Sequence, residues 1–230
     1  MIKPIFYTDL RHADFGWLNA RHHFSFGQYY DPDRMGFGKL RVINDDIIQA
    51  GTGFDTHPHS NMEIITYVRE GAITHKDSRG NEGKTKAGDV QVMSAGTGIQ
   101  HSEHNRESEA TSLYQIWIEP NRQNVEPRWG AHQFPNQEPV ESKLSLLVSG
   151  DGTAPLSIYA DAKIYAGRLV KGQVIEQRID HNGYLLVSNG EVIVGGHSLS
   201  KGDAAEITDQ KGVQINAVVD SEVLLIDVSE

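Results

Sequence analysis

The stretch Tyr67-Val68-Arg69-Glu70-Gly71-Ala72-Ile73 decides the fold, because it runs from an apolar strand through a glycine turn into a second strand. The same order returns at Leu186-Val187-Ser188-Asn189-Gly190-Glu191-Val192. Each block is followed by a Gly-Asp turn and another strand, at Lys86-Ala87-Gly88-Asp89-Val90 and at Ser200-Lys201-Gly202-Asp203-Ala204. An internal repeat of this kind predicts two similar β-barrels in tandem.

Short segments rich in β-branched and aromatic residues occupy much of the remaining chain, and helical periodicity is scarce. Asp45-Asp46 is interpreted as a turn between two strands, at 40–44 and 47–50. The region from 119 to 139 is rich in proline and polar residues, which indicates a linker or a long loop. We therefore predict an all-β protein with domains at 1–120 and 143–230, joined by a linker at 121–142.

Composition excludes several classes of function. The chain has 230 residues, a formal net charge of -10 and no cysteine. The absence of cysteine removes disulfides, thiolate ligands and thiol nucleophiles. Lysine and arginine are scattered rather than clustered, so we expect no direct binding of nucleic acid. No run is long and apolar enough for a transmembrane helix, and the N-terminus has no signal-peptide pattern, so we expect a cytoplasmic protein without a membrane partner.

Two short clusters carry the chemistry: His57-Pro58-His59 and His101-Ser102-Glu103. On a strand, residues i and i+2 point to the same face, so each cluster offers two ligands in one direction. If the strands face each other, three imidazoles and one carboxylate could bind one divalent transition metal and leave coordination positions open. A single His-x-His pair is often only a surface pair. Here a Gly-Thr-Gly stretch precedes each cluster, at 51–53 and 96–98, and the joint pattern favours a metal site.

Other side chains could add to the site. The remaining candidate imidazoles are His22, His23, His75, His104 and His132. His104 is expected to point away from its neighbours His101 and Glu103. Four large apolar residues could line a cleft around the metal or belong to ordinary barrel core: Phe24, Phe26, Phe37 and Met93.

The repeat also predicts where metal ligands are lacking. Counting from the glycine turns, the residues of the second half that correspond to the two clusters are Glu176, Arg178, Ile215 and Ala217. Arginine, isoleucine and alanine cannot form a metal site. We therefore expect the C-terminal domain to carry no metal ligands.

The spacing of the clusters closely resembles the two cupin motifs. The first is Gly51-x5-His57-x-His59-x3-Glu63, and the second is Gly88-x5-Ser94-x-Gly96 followed by His101-x3-Asn105. Ser94 replaces the usual proline, and His101 lies two residues further from Gly96 than is usual. These departures resemble the pirin branch of the cupins, as do several N-terminal segments: 16–18, 22–26, 30–32, 36–37 and 40–46.

The resemblance implies a bicupin, with two tandem double-stranded β-helix or jelly-roll barrels. It also implies that the metal ligands are His57, His59, His101 and Glu103, whereas an archetypal cupin would use Glu63. Strand parity leaves both glutamates within reach of the cavity. The metal implied is Fe(II), with Ni, Mn, Co, Cu and Zn as alternatives.

The resemblance to bacterial pirin-like proteins implies quercetin 2,3-dioxygenase activity, in which O2 cleaves a flavonol to a depside and carbon monoxide. Glu103 would serve as the catalytic base. A different hypothesis is a metal-binding regulatory or stress-response protein that acts through protein partners, as eukaryotic pirins imply. In that case dioxygenase activity is incidental, and the physiological substrate could be another enol.

Overall fold

The structure, a computed structural model, describes residues 1–133 and 138–230. Within those residues the chain is almost entirely β, with one short 3-10 helix at Tyr7–Asp9. The strands in chain order are β1 (Ile2–Ile5), β2 (Arg11–Asp14), β3 (Leu18–His22), β4 (Leu40–Ile48), β5 (Gly53–His59), β6 (Glu63–Glu70), β7 (Ala72–Asp77), β8 (Glu82–Lys86), β9 (Val90–Ser94), β10 (Ile99–His104), β11 (Thr111–Ile118), β12 (Arg128–His132), β13 (Ser145–Ser149), β14 (Leu156–Ser157), β15 (Ala162–Leu169), β16 (Val174–Arg178), β17 (Asn182–Asn189), β18 (Glu191–Val194), β19 (His197–Ser200), β20 (Ala204–Ile207), β21 (Gly212–Ala217) and β22 (Ser221–Val228). Within the described ranges there is no helix of the length and hydropathy that crossing a bilayer requires.

The strands form two compact units. Among the described residues, the first barrel comprises 11–133 with Leu156–Ala160, and the second comprises Met1–Leu10, 138–155 and Asp161–Glu230. These bounds differ from the expected domains, because a local pattern cannot show which distant strand a segment will pair with.

Two segments account for most of that difference. Residues 1–10 were expected in the first domain, but β1 pairs with β20 of the second barrel. Residues 128–132 lie inside the predicted linker, but they form β12, which pairs with β9. Positions 134–137 of that linker lie outside the described residues.

Both barrels have the same strand order. The sheets of the first barrel run β12-β9-β6-β11-β4-β3-β2 and β5-β10-β7-β8. Those of the second contain the orders β1-β20-β17-β22-β15-β13 and β16-β21-β18-β19. Strands β4 to β11 therefore correspond one to one with β15 to β22, which is the eight-stranded jelly roll occurring twice. The predicted all-β bicupin is confirmed.

Strand register identifies the residues of the second barrel that replace the two clusters. His57 lies opposite His101, and the corresponding pair is Gln177 and Val213. The same register makes the equivalents of the four expected ligands Gln177, Ile179, Val213 and Ile215.

Counting from the glycine turns was therefore wrong by one or two positions, because loop lengths differ between the halves. It had selected Glu176, Arg178, Ile215 and Ala217. By register, Ile179, Val213 and Ile215 belong to the buried core of the second barrel. Three of the four equivalents are therefore apolar core residues, and the fourth, Gln177, is a buried amide side chain.

The predicted turn at Asp45-Asp46 is wrong, because β4 continues without interruption from Leu40 to Ile48. Both aspartates are buried within the strand. Asp45 forms an ion pair with Arg69 of β6, which lies on the far side of β11 in the same sheet. Burial, reinforced by the charge of Asp45, raises the pKa of Asp46 well above its ordinary value. The ion pair of Asp45 and the raised pKa of Asp46 both lower the cost of placing these two carboxyl groups inside a sheet.

Candidate metal centre

Strands β5 and β10 bring the two clusters together. They pair antiparallel, with His101 opposite His57 and Ile99 opposite His59. The register shifts between His101 and Glu103, which marks a β-bulge at the site. Bulges of this kind are common beside functional sites, where they redirect a side chain.

Three imidazoles converge from these strands. The ligand nitrogens of His57, His59 and His101 all lie within 4.8 Å of one another. His57 Nδ1 is 2.7 Å from the carbonyl oxygen of Asp55, so it must donate its hydrogen there, and Nε2 of the neutral ring carries the lone pair. That Nε2 lies 3.1 Å from Nε2 of His101. A cation shared between these nitrogens fits the arrangement, so the donor set suits a late first-row metal.

Burial keeps two of the rings neutral. Burial first, and then the neighbouring imidazoles His101 and His57, lower the pKa of His59 to about 4. Burial, followed by His57 and His75, lowers the pKa of His101 to about 3. At neutral pH both rings are therefore uncharged, which is the form that binds a metal.

Glu103 lies beside this trio on β10 and is almost fully buried. The amide of Gln115 donates to Glu103 Oε2 at 2.7 Å, and the hydroxyl of Thr66 donates to Oε1 at 3.1 Å. The amide of Gln91 also donates to Oε1. A second bond fixes the direction of Gln91, because its own oxygen accepts from the hydroxyl of Thr85 at 2.9 Å. Three donors therefore stabilise and orient one buried carboxylate.

The second acidic candidate, Glu63, faces the other way. Its strand neighbours Ile64 and Thr66 face the cavity and Glu103 respectively, so the alternation of β6 turns Glu63 to the opposite side. Glu63 accepts a hydrogen bond of 2.7 Å from Ser94. Burial raises its pKa, and the bond from Ser94 partly opposes that shift. Once the cavity-facing side of β6 is known, strand alternation decides between Glu63 and Glu103, a choice that the sequence alone left open.

All four expected ligands open onto one cavity of about 710 Å³ in the first barrel. That volume lies within the usual range for small-molecule sites. Its apolar wall includes Phe26, Phe54, Ile64 and Trp117, and its polar wall includes His22, Asn44, Asp46 and Gln115. Of the four apolar residues considered from sequence, Phe26 lines this cavity, whereas Phe24 and Met93 are buried core and Phe37 is not among its lining residues.

One residue beside the site, His75, carried no assigned role from sequence, and the expectation that His104 points away can be compared with the structure. His75 was only one of five spare histidines, yet it lies directly behind His101, with the two Nδ1 atoms 3.3 Å apart. His104 does not line the cavity and lies 3.6 Å from Asp55. What distinguishes His75 from the other spare histidines is its position on β7, which pairs with β10 and places His75 opposite Glu103. Finding it required the strand order of the barrel.

Comparisons with known proteins agree with this fold. The chain matches the Pirin family over residues 7–118 and the quercetinase C-terminal cupin domain over residues 146–228. It is 48% identical to a pirin-like protein of Caulobacter vibrioides, over 98% of this chain and 97% of that protein. It is 44% identical to quercetin 2,3-dioxygenase of Escherichia coli K12, over 94% of each chain. The crystal structure of the Escherichia coli pirin YhhW in complex with nickel(II) superposes with a TM-score of 0.92 at 43% identity, covering 100% of this chain and 99% of that one. This chain therefore belongs to the pirin family of bicupins.

Proposed function

We propose that this protein is a metal-dependent dioxygenase that cleaves the flavonol quercetin with O2 to a depside and carbon monoxide. The observation that carries the proposal is the convergence of His57, His59 and His101 on the wall of an aromatic-lined cavity, with the buried carboxylate of Glu103 beside them. The quercetin 2,3-dioxygenase of Escherichia coli, 44% identical, supports the substrate class.

The proposed ligands are His57, His59, His101 and Glu103, and the nickel complex of the related pirin supports a divalent metal here. Fe(II) is the metal we propose, with Ni, Mn, Co, Cu and Zn as alternatives to test. A divalent metal bound there would supply Lewis acidity toward an anionic oxygen and, where it is redox-active, reactivity toward O2.

The chain's own residues have two tasks in this reaction. Aromatic side chains of the cavity wall, such as Phe26, Phe54 and Trp117, would hold the flat flavonol and exclude water. Glu103 would take the proton of the flavonol 3-hydroxyl, provided that the hydroxyl reaches hydrogen-bonding distance. The carbon that bears that hydroxyl leaves as carbon monoxide, and both oxygen atoms of O2 enter the depside.

Metal reconstitution tests the activity. The metal-free protein is loaded in turn with Fe(II), Ni(II), Mn(II), Co(II), Cu(II) or Zn(II), and quercetin is added in air. We expect loss of flavonol absorbance together with release of carbon monoxide for at least one metal. Full loading without turnover for every metal would refute the dioxygenase and favour a metal-binding regulatory protein that acts through protein partners.

A substitution tests the base. Glu103→Gln keeps the shape of the side chain, and we expect kcat to fall by about 10²–10⁴-fold, the range for a lost general base. Metal content is measured in the same samples, because Glu103 is also a proposed ligand. Turnover at the wild-type rate with normal metal loading would contradict the role of Glu103.

A further inference from the structure

A hydrogen-bonded chain of side chains runs behind the trio of imidazoles, on the side away from the cavity. His75 is fully buried on β7, and its ring stacks on Trp129 with an interplanar angle of 8° and centroids 4.9 Å apart. Its Nδ1 lies 3.3 Å from Nδ1 of His101, and its Nε2 lies 3.0 Å from Oδ2 of Asp77. The stacking holds the imidazole so that each nitrogen faces one partner.

Asp77 fixes the direction of hydrogen bonding along this chain. It accepts the backbone N–H groups of Arg79 and Asn81 at 2.9 and 3.0 Å, and the side-chain amide of Asn81 at 2.9 Å. An ionised carboxylate has no hydrogen to donate, so Asp77 also accepts from His75. Nε2 of His75 therefore carries the hydrogen. In the neutral ring of His75, Nδ1 is then an acceptor.

The hydrogen at the next step must come from His101. Because Nδ1 of His75 accepts, Nδ1 of His101 donates, and the lone pair of His101 is placed on Nε2. That nitrogen is the one that lies 3.1 Å from Nε2 of His57. The tautomer of a metal-binding histidine is generally set by the partner of its other nitrogen.

We propose that Asp77 and His75 are positioning residues that hold His101 in the tautomer with its lone pair on Nε2, aimed into the metal site. The proposal rests on the metal site of the preceding section but is independent of the substrate. A different arrangement would make His75 itself a ligand, since ligand atoms of His75, His101 and Glu103 also lie within 4.8 Å of one another. His75 is not among the residues that line the cavity, whereas His57, His59, His101 and Glu103 are.

The first test reads the tautomers directly and needs no metal. Long-range ¹H–¹⁵N correlation spectra of the metal-free protein, labelled with ¹⁵N-histidine, distinguish protonated from unprotonated ring nitrogens at neutral pH. We expect His101 to carry its hydrogen on Nδ1 and His75 on Nε2, with His75→Phe and His104→Gln used to assign the signals. A hydrogen on Nε2 of His101 in the wild-type protein would overturn the proposal.

Asp77→Asn provides the sharpest variant, because it is nearly isosteric and replaces an acceptor with a donor. The new amide would donate to Nε2 of His75, so every hydrogen bond along the chain would reverse its direction and the hydrogen of His101 would move to Nε2. A carboxylate-to-amide change has the same effect on the tautomer in other aspartate–histidine pairs. We expect that reversal in the spectrum, together with nickel(II) affinity weaker by about 10–100-fold.

His75→Phe keeps the stacking partner of Trp129 but removes the acceptor, and we expect a similar loss of affinity. His104→Gln is the matched control on β10 and should bind nickel(II) like the wild type. Unchanged affinity in Asp77→Asn would overturn the proposal. So would complete loss of binding in His75→Phe combined with normal binding in His57→Gln, which would make His75 a ligand. If wild-type protein bound no nickel(II), the metal site would be refuted, and the tautomer spectrum would still decide the role of Asp77 and His75.

Discussion

Gly53→Ala tests whether close contact between β5 and β10 sets the spacing of the imidazoles. Gly53 begins β5, and a Cβ built on it would lie 2.3 Å from the carbonyl oxygen of Glu103 and 2.5 Å from Cα of His104. Both neighbours are backbone atoms, so no side-chain rotation can relieve the contact. The two strands would have to separate where Gly53 lies opposite His104, beside Glu103 and three residues along β10 from His101.

The size of the effect follows from those distances. Ordinary carbon contacts need about 3.5 Å, so the strands must move apart by about 1 Å at this point. Overpacking of that kind costs about 1–3 kcal/mol of unfolding free energy. A displacement of 1 Å also exceeds what a metal's ligand distances tolerate, so we expect nickel(II) affinity to fall by at least about tenfold.

Gly51→Ala is the matched control. Gly51 has a φ of 72° and no heavy atom within 4 Å of the built Cβ, so an alanine there is strained but does not push on β10. We expect a loss of about 1–2 kcal/mol from the left-handed backbone, or a melting temperature lower by a few degrees, with metal affinity unchanged. Thermal unfolding of the metal-free proteins and a nickel(II) titration measure both quantities. Equal metal affinity in the two variants would refute the role assigned to close strand contact.

Three further predictions concern buried polar groups. Gln115→Leu removes the 2.7 Å donor to Glu103, and chemical denaturation of the metal-free protein should show a loss of about 1.5–3 kcal/mol; a neutral result would mean that Gln115 does not stabilise the carboxylate. Arg69→Met leaves Asp45 buried without its ion-pair partner and should cost about 3–5 kcal/mol by the same measurement, whereas a loss below 1 kcal/mol would contradict the importance of the pair. Because burial raises the pKa of Asp46, its folded state holds a proton that the unfolded chain releases above about pH 4, so stability declines as pH rises toward the raised pKa, by up to about 1.4 kcal/mol per unit. Asp46→Asn does not titrate and should therefore gain stability relative to wild type between pH 5 and pH 8; a constant difference across that range would show that Asp46 is ionised in the folded protein.

Local sequence predicted the strands better than their partners. The strand–glycine–strand units predicted at 67–73 and 186–192 are both observed, as β6 turning into β7 at Gly71 and β17 turning into β18 at Gly190, because strand composition and glycine turns are local signals. The Asp45-Asp46 turn was wrong because the partner that neutralises Asp45 lies 24 residues away on another strand. Pairing of β1 with β20 spans nearly the whole chain, so no window of sequence contains it.

The candidate site divides in the same way. The i, i+2 spacing of His57 with His59, and of His101 with Glu103, follows from strand geometry, and it was enough to identify both clusters. The choice between Glu63 and Glu103 needed more than parity, since parity is defined only after the facing side of β6 is known. Thr66 shows which side of β6 faces the site, because its side chain contacts Glu103 across the barrel.

By itself, the sequence determined the duplicated all-β design and the residues able to bind a metal, because periodicity and spacing are properties of the chain read in order. Tertiary structure alone decided which glutamate faces the cavity, which residues replace the clusters in the second barrel, and that Asp77 and His75 lie behind His101. Those features depend on register between strands that are distant in sequence. A shift of one residue in that register would turn each side chain to the other face of its sheet.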